Sequence, residues 1–385
     1  MSGFEVKNVF EHVDMLAYEI GPRKAGSRGD RRTVEYLSSK LREYGLKVHV
    51  QEFGFVGRTR RLAFMLSLGL LFLSLTLFLP PLLSLLLWSL FLLLSEFSGR
   101  ILPGQKTCNL LAEMKGEGER KVLLAHRDSA SCVSRPRLLE VSSLFLPLSL
   151  LLPSFLLLLR LLFPPLWPWG GFLSLFLFAL FPSLRLLSLS SSVSPGANDN
   201  ASGVALLLEV ARVCSQLNPV PPLLLAFTGA EEEGLWGSKA LASGGVLRRE
   251  DRILNVDTVG VGRVHLVVGS GLLRRRETPR GLNEEVRRCL KEEGLRPGEW
   301  WTVFSAHDHL PLLRKGFSAT TLTADTGLRG DSSLFRFFRI PKAGRRGWRY
   351  LHTEEDLPPR LELSTLERVG KALLRFAGAG EGPAG

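Results

Sequence analysis

Cysteine is scarce in this chain: four in 385 residues. Cys108, Cys132, Cys214 and Cys289 form no C-x-x-C pair and no knuckle spacing, which argues against a thiolate zinc site and a disulfide scaffold. That usage fits a reducing compartment. No H-E-x-x-H, no G-x-S-x-G and no phosphate-binding P-loop occurs, so the common rival active sites are missing. The N-terminus, MSGFEVKNVFEHVDMLAYEIGPRKAGS, has no basic segment followed by an apolar core, so no cleaved leader is expected. Nor do the basic residues form one run with interleaved aromatics. The net charge of +12 therefore gives no reason to expect a nucleic-acid partner.

Charge itself is missing over long stretches. None occurs from Leu62 to Ser95, from Val141 to Leu159 or from Leu166 to Leu184. Hydrophobic residues make up 45% of the chain, high for a soluble enzyme. Pro80 and Pro81 split the first block into arms of about 18 and 13 residues, against the roughly 20 that a spanning helix needs. The second block turns at Arg160, Pro164 and Pro165, with Trp167 and Trp169 near its tip, where an aromatic belt would lie. Prolines 147, 153, 168 and 182 predict kinks. Paired, uncharged, Leu/Phe-rich arms are hard to bury in a small soluble domain, so two membrane hairpins are expected at 62–95 and 141–187. Arg58, Arg60, Arg61, Arg100, Lys106, Arg135, Arg137 and Arg185 flank them on the domain side, with only Arg160 at a tip. This asymmetry predicts a multi-pass cell-membrane protein with its domain in the cytoplasm.

Segments 1–61, 96–140 and 188–385 read as one interrupted α/β domain. Helical periods cover Val6–Ile20 and Asp30–Tyr44, and further on GVALLLEVARVC, LNEEVRRCLKEEG and LSTLERVGKALLRF. Strand patterns cover LKVHVQEF, TCNLLAEMK, KVLLAH, PPLLLAFTG, RILNVDTVG and HLVVGSG. The alternation predicts a mixed, mostly parallel sheet sandwiched by helices, with about four inserted transmembrane helices.

Polar residues cluster where these strands end. His126 and Asp128 close KVLLAH with a spacing that puts both on one strand face. Asp199 sits in PGANDNASG before a helix. Glu231 and Glu232 follow an apolar strand, Asp257 follows another, and His352 lies in a late loop. Singly, each has an ordinary reading: a surface histidine, a helix cap, a solvated charged turn. Together they are a set of hard oxygen and imidazole donors suited to zinc or related divalent ions. Strand ends in open α/β sheets are where such sites form.

The order H-x-D, G-A-x-D-N-A-S-G-V, G-x-E-E-x-G-L-x-G-S, N-x-D-x-x-G and H-T-x-x-D resembles metallopeptidase family 28. That family comprises the co-catalytic two-zinc aminopeptidases and their carboxypeptidase and glutaminyl-cyclase relatives. The resemblance covers almost everything outside the hydrophobic blocks. It implies two Zn2+ per chain held by His126, Asp199, Glu232, Asp257 and His352, with Asp199 bridging. It also implies Glu231 as general base, Asp128 orienting His126, and Asp308 and His309 of AHDHLP holding substrate. A membrane-bound exopeptidase acting on peptides at the lipid bilayer is the function implied. A glutaminyl-cyclase-like acyl transfer is the runner-up, and a non-catalytic membrane subunit a third reading. Terminal-residue preference, native metal and oligomeric state are not encoded in any motif.

Overall fold

The computed structural model describes residues 3–271, 275–303, 306–325, 328–329, 345–346 and 349–379. In chain order the first eleven strands are β1 (Val48–Phe55), β2 (Gln105–Met114), β3 (Lys121–His126), β4 (Ser131–Val133), β5 (Leu189–Val193), β6 (Leu223–Thr228), β7 (Arg252–Val256), β8 (Arg263–Ser270), β9 (Arg276–Glu277), β10 (Gly298–Thr302) and β11 (Ser318–Asp325). Nine of them form one sheet in the order β1-β2-β6-β3-β7-β11-β8-β10, with β9 on β8; β4 and β5 pair as a separate ribbon. β6, β3, β7 and β11 run parallel, while β2 and β8 are antiparallel to their neighbours β6 and β11. This is the expected mixed sheet. It puts the C-terminal ends of β3, β6 and β7 on one edge.

The chain divides into two compact units. The first holds Met1–Phe53, Lys106–Ser131 and Ser192–Gly385. Its strands serve two cores because side chains alternate across a sheet. Leu123, Ala125, Leu225, Phe227 and Leu254 face one core. Val122, Leu124, Leu224, Ala226 and Ile253 face the other. Helices Val6–Asp14, Ser202–Ser215, Arg280–Glu292 and Leu363–Phe376 close the first core and pack on one another. Helices Trp236–Ser243 and His309–Arg314 close the second. β11 was not among the expected strands, yet it lies inside the sheet between β7 and β8.

The second unit holds Gly54–Gln105 and Cys132–Ser191. Its long helices are Arg58–Thr76, Pro81–Glu96, Pro136–Leu159 and Trp167–Ser188. Three are long and apolar enough to cross a membrane, where about four were expected. The fourth, Pro81–Glu96, has 16 residues and reaches roughly 24 Å, against a hydrocarbon core of about 30 Å. Leu73, Trp88, Phe91, Leu157, Trp167 and Phe178 form the interior of this unit. At Gly69 a Cβ would lie 2.3 Å from the Phe178 ring, so the close approach there requires glycine.

Arg160, the lone charge at a hairpin tip, has a specific task. Helical bonding would pair the Thr76 carbonyl with the nitrogen of Pro80, which carries no hydrogen. Arg160 Nη1 donates to that carbonyl at 2.7 Å and Trp167 Nε1 donates to it at 3.0 Å. Arg160 Nη2 donates to the Leu79 carbonyl at 2.7 Å. The guanidinium thus satisfies the acceptors that the proline pair orphans, and it lies 5.0 Å over the Trp167 ring. Trp167 Nε1 stays on the Thr76 carbonyl and Ser84 Oγ, at 3.2 Å, on the Leu79 carbonyl, so Arg160→Met should destabilise this unit by about 1–2 kcal/mol, the scale for lost charged hydrogen bonds whose acceptors keep another donor. Thermal unfolding in detergent measures it; an unchanged midpoint would mean that those two donors suffice.

Candidate metal centre

β3 ends at His126, and the next two residues point to opposite sides. Arg127, fully buried, turns to the Asp30 carboxylate and to the Cys108 carbonyl. His126 and Asp128 turn to the other side. His126 Nδ1 donates to the backbone carbonyl of Asp128 at 3.1 Å, which leaves Nε2 with its lone pair free to bind a cation. The Asp128 carboxylate does not make that bond; its nearer oxygen stands 3.9 Å from Nδ1. It accepts instead from the amides of Glu231 at 3.0 Å and Glu232 at 3.1 Å. Asp128 thus orients His126 through its carbonyl and pins the two-glutamate turn with its side chain.

That turn follows β6 and is tight: Ala230 and Leu235 adopt φ of 54° and 59°. Asp199 comes from the loop before helix Ser202–Ser215. Four neighbours fix this loop. The Asp356 carboxylate accepts from the amides of Asn198 at 2.7 Å and Asp199 at 3.1 Å. Asn200 donates to the Val256 carbonyl at 2.9 Å and accepts from the Thr258 amide at 3.1 Å, tying the loop to the end of β7. Asn198 accepts from the Gly260 amide at 2.7 Å. Fully buried Arg23 donates to the carbonyls of Pro195 and Gly196. A side chain at Gly196, where φ is +63°, would meet Asp199 O at 2.4 Å.

The result is two half-sites sharing one carboxylate. Asp199 Oδ1 lies 3.1 Å from His126 Nε2, and Asp257 Oδ1 lies 3.5 Å from the same nitrogen. Asp199 Oδ2 lies 3.0 Å from His352 Nε2, and Glu232 Oε1 lies 3.3 Å from it. Bonds of about 2.0 Å in a tetrahedron place ligand atoms roughly 3.3 Å apart, so these separations fit a divalent cation in each half. The electrostatics agree. Burial alone would lower both imidazoles, yet hydrogen bonds and fields from Asp199, Asp257, Glu232 and Glu231 hold His126 and His352 well above their ordinary range. The pocket therefore favours positive charge. His126, Asp199, Glu232, Asp257 and His352 are the residues that would hold two ions.

Glu231 is buried beside this set. Burial first, then Glu232, Asp257 and Asp308, keep its carboxyl well above the usual carboxylate range, with His126 opposing. Asp257 is driven the other way: burial opposes, but His307 and His126 hold it well below that range. Carboxyls pushed apart in this manner can divide proton transfer from cation binding.

Asp308 is buried and accepts from Thr228 Oγ1 at 2.5 Å. His309 is fully buried, its Nδ1 on Thr321 Oγ1 at 2.7 Å and its Nε2 on Ser270 Oγ at 3.4 Å. Burial pushes it down to about 3. Both ring nitrogens are engaged inside the fold, which leaves His309 no nitrogen for a substrate. The histidine beside the metal set is His307, whose Nδ1 donates to Asp257 Oδ2 at 2.6 Å. Sequence reasoning gave no role to His307, Asp356, Asn198, Asn200 or Arg23. His307, Asp356, Asn198 and Asn200 lie in segments already quoted, AHDHLP, H-T-x-x-D and G-A-x-D-N, which was the available signal; Arg23 lies in GPRKAGS near the N-terminus.

Solved structures with the same fold include a Zn-dependent exopeptidase from Parabacteroides distasonis, with TM-score 0.61 at 16% identity, covering 98% of each chain. A glutaminyl cyclase from Bacteroides thetaiotaomicron superposes with TM-score 0.60 at 17% identity, covering 99% of each. In sequence, a probable zinc metalloprotease of Leptosphaeria maculans is 40% identical over 74 residues, which is 18% of this chain and 17% of that protein. Aminopeptidase YwaD of Bacillus subtilis is 41% identical over 70 residues, 17% of this chain and 15% of its own length. The matches therefore span well under a fifth of those relatives. Residues 186–377 match the model of peptidase family M28, and the chain belongs to that family.

Asp128→Asn keeps the volume but can accept only one of the two glutamate amides. It should lower kcat/KM about 10- to 100-fold, the range for residues that support a metal site. Peptide-release kinetics would show it, and full activity would mean that the Glu231–Glu232 turn holds itself.

Proposed function

We propose that this protein is a membrane-bound, zinc-dependent exopeptidase that releases N-terminal residues from peptides. The observation that carries the reading is the shared Asp199 between two half-sites, with the high-pKa carboxyl of Glu231 beside them. Zinc ions, when bound, supply Lewis acidity toward the scissile carbonyl and lower the pKa of water in the site. Glu231 takes the proton of the attacking water and delivers it to the leaving amine. Burial and the neighbouring carboxylates raise its pKa, which helps it hold the proton for the leaving amine. Asp128 holds Glu231 and Glu232 at the ends of adjacent amides, so one carboxyl faces the ion while its neighbour stays available for the proton. The relatives' names, metalloprotease and aminopeptidase, support this reaction class.

A glutaminyl-cyclase-like activity is the second reading. The B. thetaiotaomicron structure and the element Asp308-His309-Leu310-Pro311 favour it. Release of ammonia from peptides with N-terminal glutamine, against release of free amino acids, separates the two.

Glu231→Gln should reduce kcat at least about 1,000-fold with metal content unchanged, which is the mark of a lost base. Glu232→Gln should instead lower zinc affinity. Near-normal turnover in the first variant would remove the base assignment.

In this proposal 1–61, 96–140 and 188–385 form the catalytic domain, and 62–95 and 141–187 are membrane hairpins. Exposed apolar side chains such as Phe78 and Trp169 support insertion. The basic flanks support a cytoplasmic domain. All four native cysteines are buried, so a single probe at exposed Lys7 reports sidedness. Lys7→Cys should resist an impermeant thiol reagent in intact cells and react after lysis; labelling of intact cells would put the domain outside.

A further inference from the structure

Asp257 receives two hydrogen bonds from protein. Thr258 Oγ1 donates to its Oδ1 at 2.8 Å, and His307 Nδ1 donates to its Oδ2 at 2.6 Å. With Nδ1 as the donor, the neutral ring keeps a lone pair on Nε2. The ring is held in place: it stacks on His309 at 6.2 Å and meets Trp300 edge-on at 5.7 Å. Nε2 is buried and has no hydrogen-bond partner among the described residues. An unsatisfied buried nitrogen is costly, and such an atom beside an active site calls for a ligand. His309, two residues on, shows the contrast, because both of its nitrogens are taken.

We infer that His307 Nε2 accepts a hydrogen bond from an N–H of the bound peptide, so that His307 is a substrate-binding residue oriented by the Asp257 carboxylate. A peptide offers N–H groups that can donate to this lone pair; its carbonyls cannot. The inference rests on the peptidase reading. The ring thus takes the place, for substrate, that His309 was expected to fill.

The test uses the full chain loaded with zinc and carrying Glu231→Gln, so that peptide binds without turnover. Calorimetry compares binding of a short peptide with and without His307→Asn. The asparagine amide nitrogen reaches the Nδ1 position and keeps the bond to Asp257, while the acceptor at Nε2 is gone. His307→Asn should weaken peptide binding about 5- to 10-fold with zinc content unchanged. In the chain that keeps Glu231, His307→Asn should raise KM more than it lowers kcat. Unchanged peptide binding, with normal cleavage by the unmodified chain, overturns this inference alone. Loss of zinc from His307→Asn also overturns it, because the ring would then serve Asp257 and not the substrate. An unmodified chain that neither binds nor cleaves any peptide overturns the peptidase reading and this inference with it.

Discussion

Buried carboxylates that converge on one point must be neutralised, and the rest of the catalytic unit is organised around that demand. Asp199, Glu232 and Asp257 bring oxygens within reach of two imidazole nitrogens at the edge of the sheet. An unpaired carboxylate pays a large desolvation penalty, so such a cluster is stable only with cations or protons in its midst. The parallel arrangement of β3, β6 and β7 makes the convergence possible. It delivers His126, the two-glutamate turn and Asp257 to one edge, each at a strand end or a few residues beyond it.

Around this set lies a layer whose job is position. Asp128 and Asp356 each accept two backbone amides. Burial raises their carboxyls, to about 6 and about 7. Asn198 and Asn200 bind backbone on either side of Asp199. Arg23 spends its donors on carbonyls of three segments. These are backbone contacts made by side chains, so they hold loops in shapes that no regular hydrogen-bond ladder would fix.

That division explains what could be read from the residues alone. The strands and helices with strong apolar periods were legible, as were the motifs that carry His126, Asp199, Glu231, Glu232, Asp257 and His352. β11 was not, because its pattern is polar. Ser318, Thr320, Thr321 and Thr323 interrupt the apolar run, and Thr320 and Thr321 are fully buried. They are accommodated because Thr320 donates to the Val267 carbonyl, and Thr321 Oγ1 meets His309 and Asn255. Such pairings come from tertiary structure and leave no periodic trace. That both nitrogens of His309 are engaged inside the fold while His307 meets Asp257 was hidden for the same reason. The short arm at Pro81–Glu96 was legible as short from its length alone.

In the proposed centre Asp199 joins two cation sites into one. Zinc stoichiometry of the purified full chain, by elemental analysis before and after Asp199→Ala, bears on that joint role without passing through any assay of activity. About two zinc ions per unmodified chain are expected, and loss of both in the variant, with the fold retained by circular dichroism. An unmodified chain that holds no zinc, or a variant that keeps both ions, would contradict it.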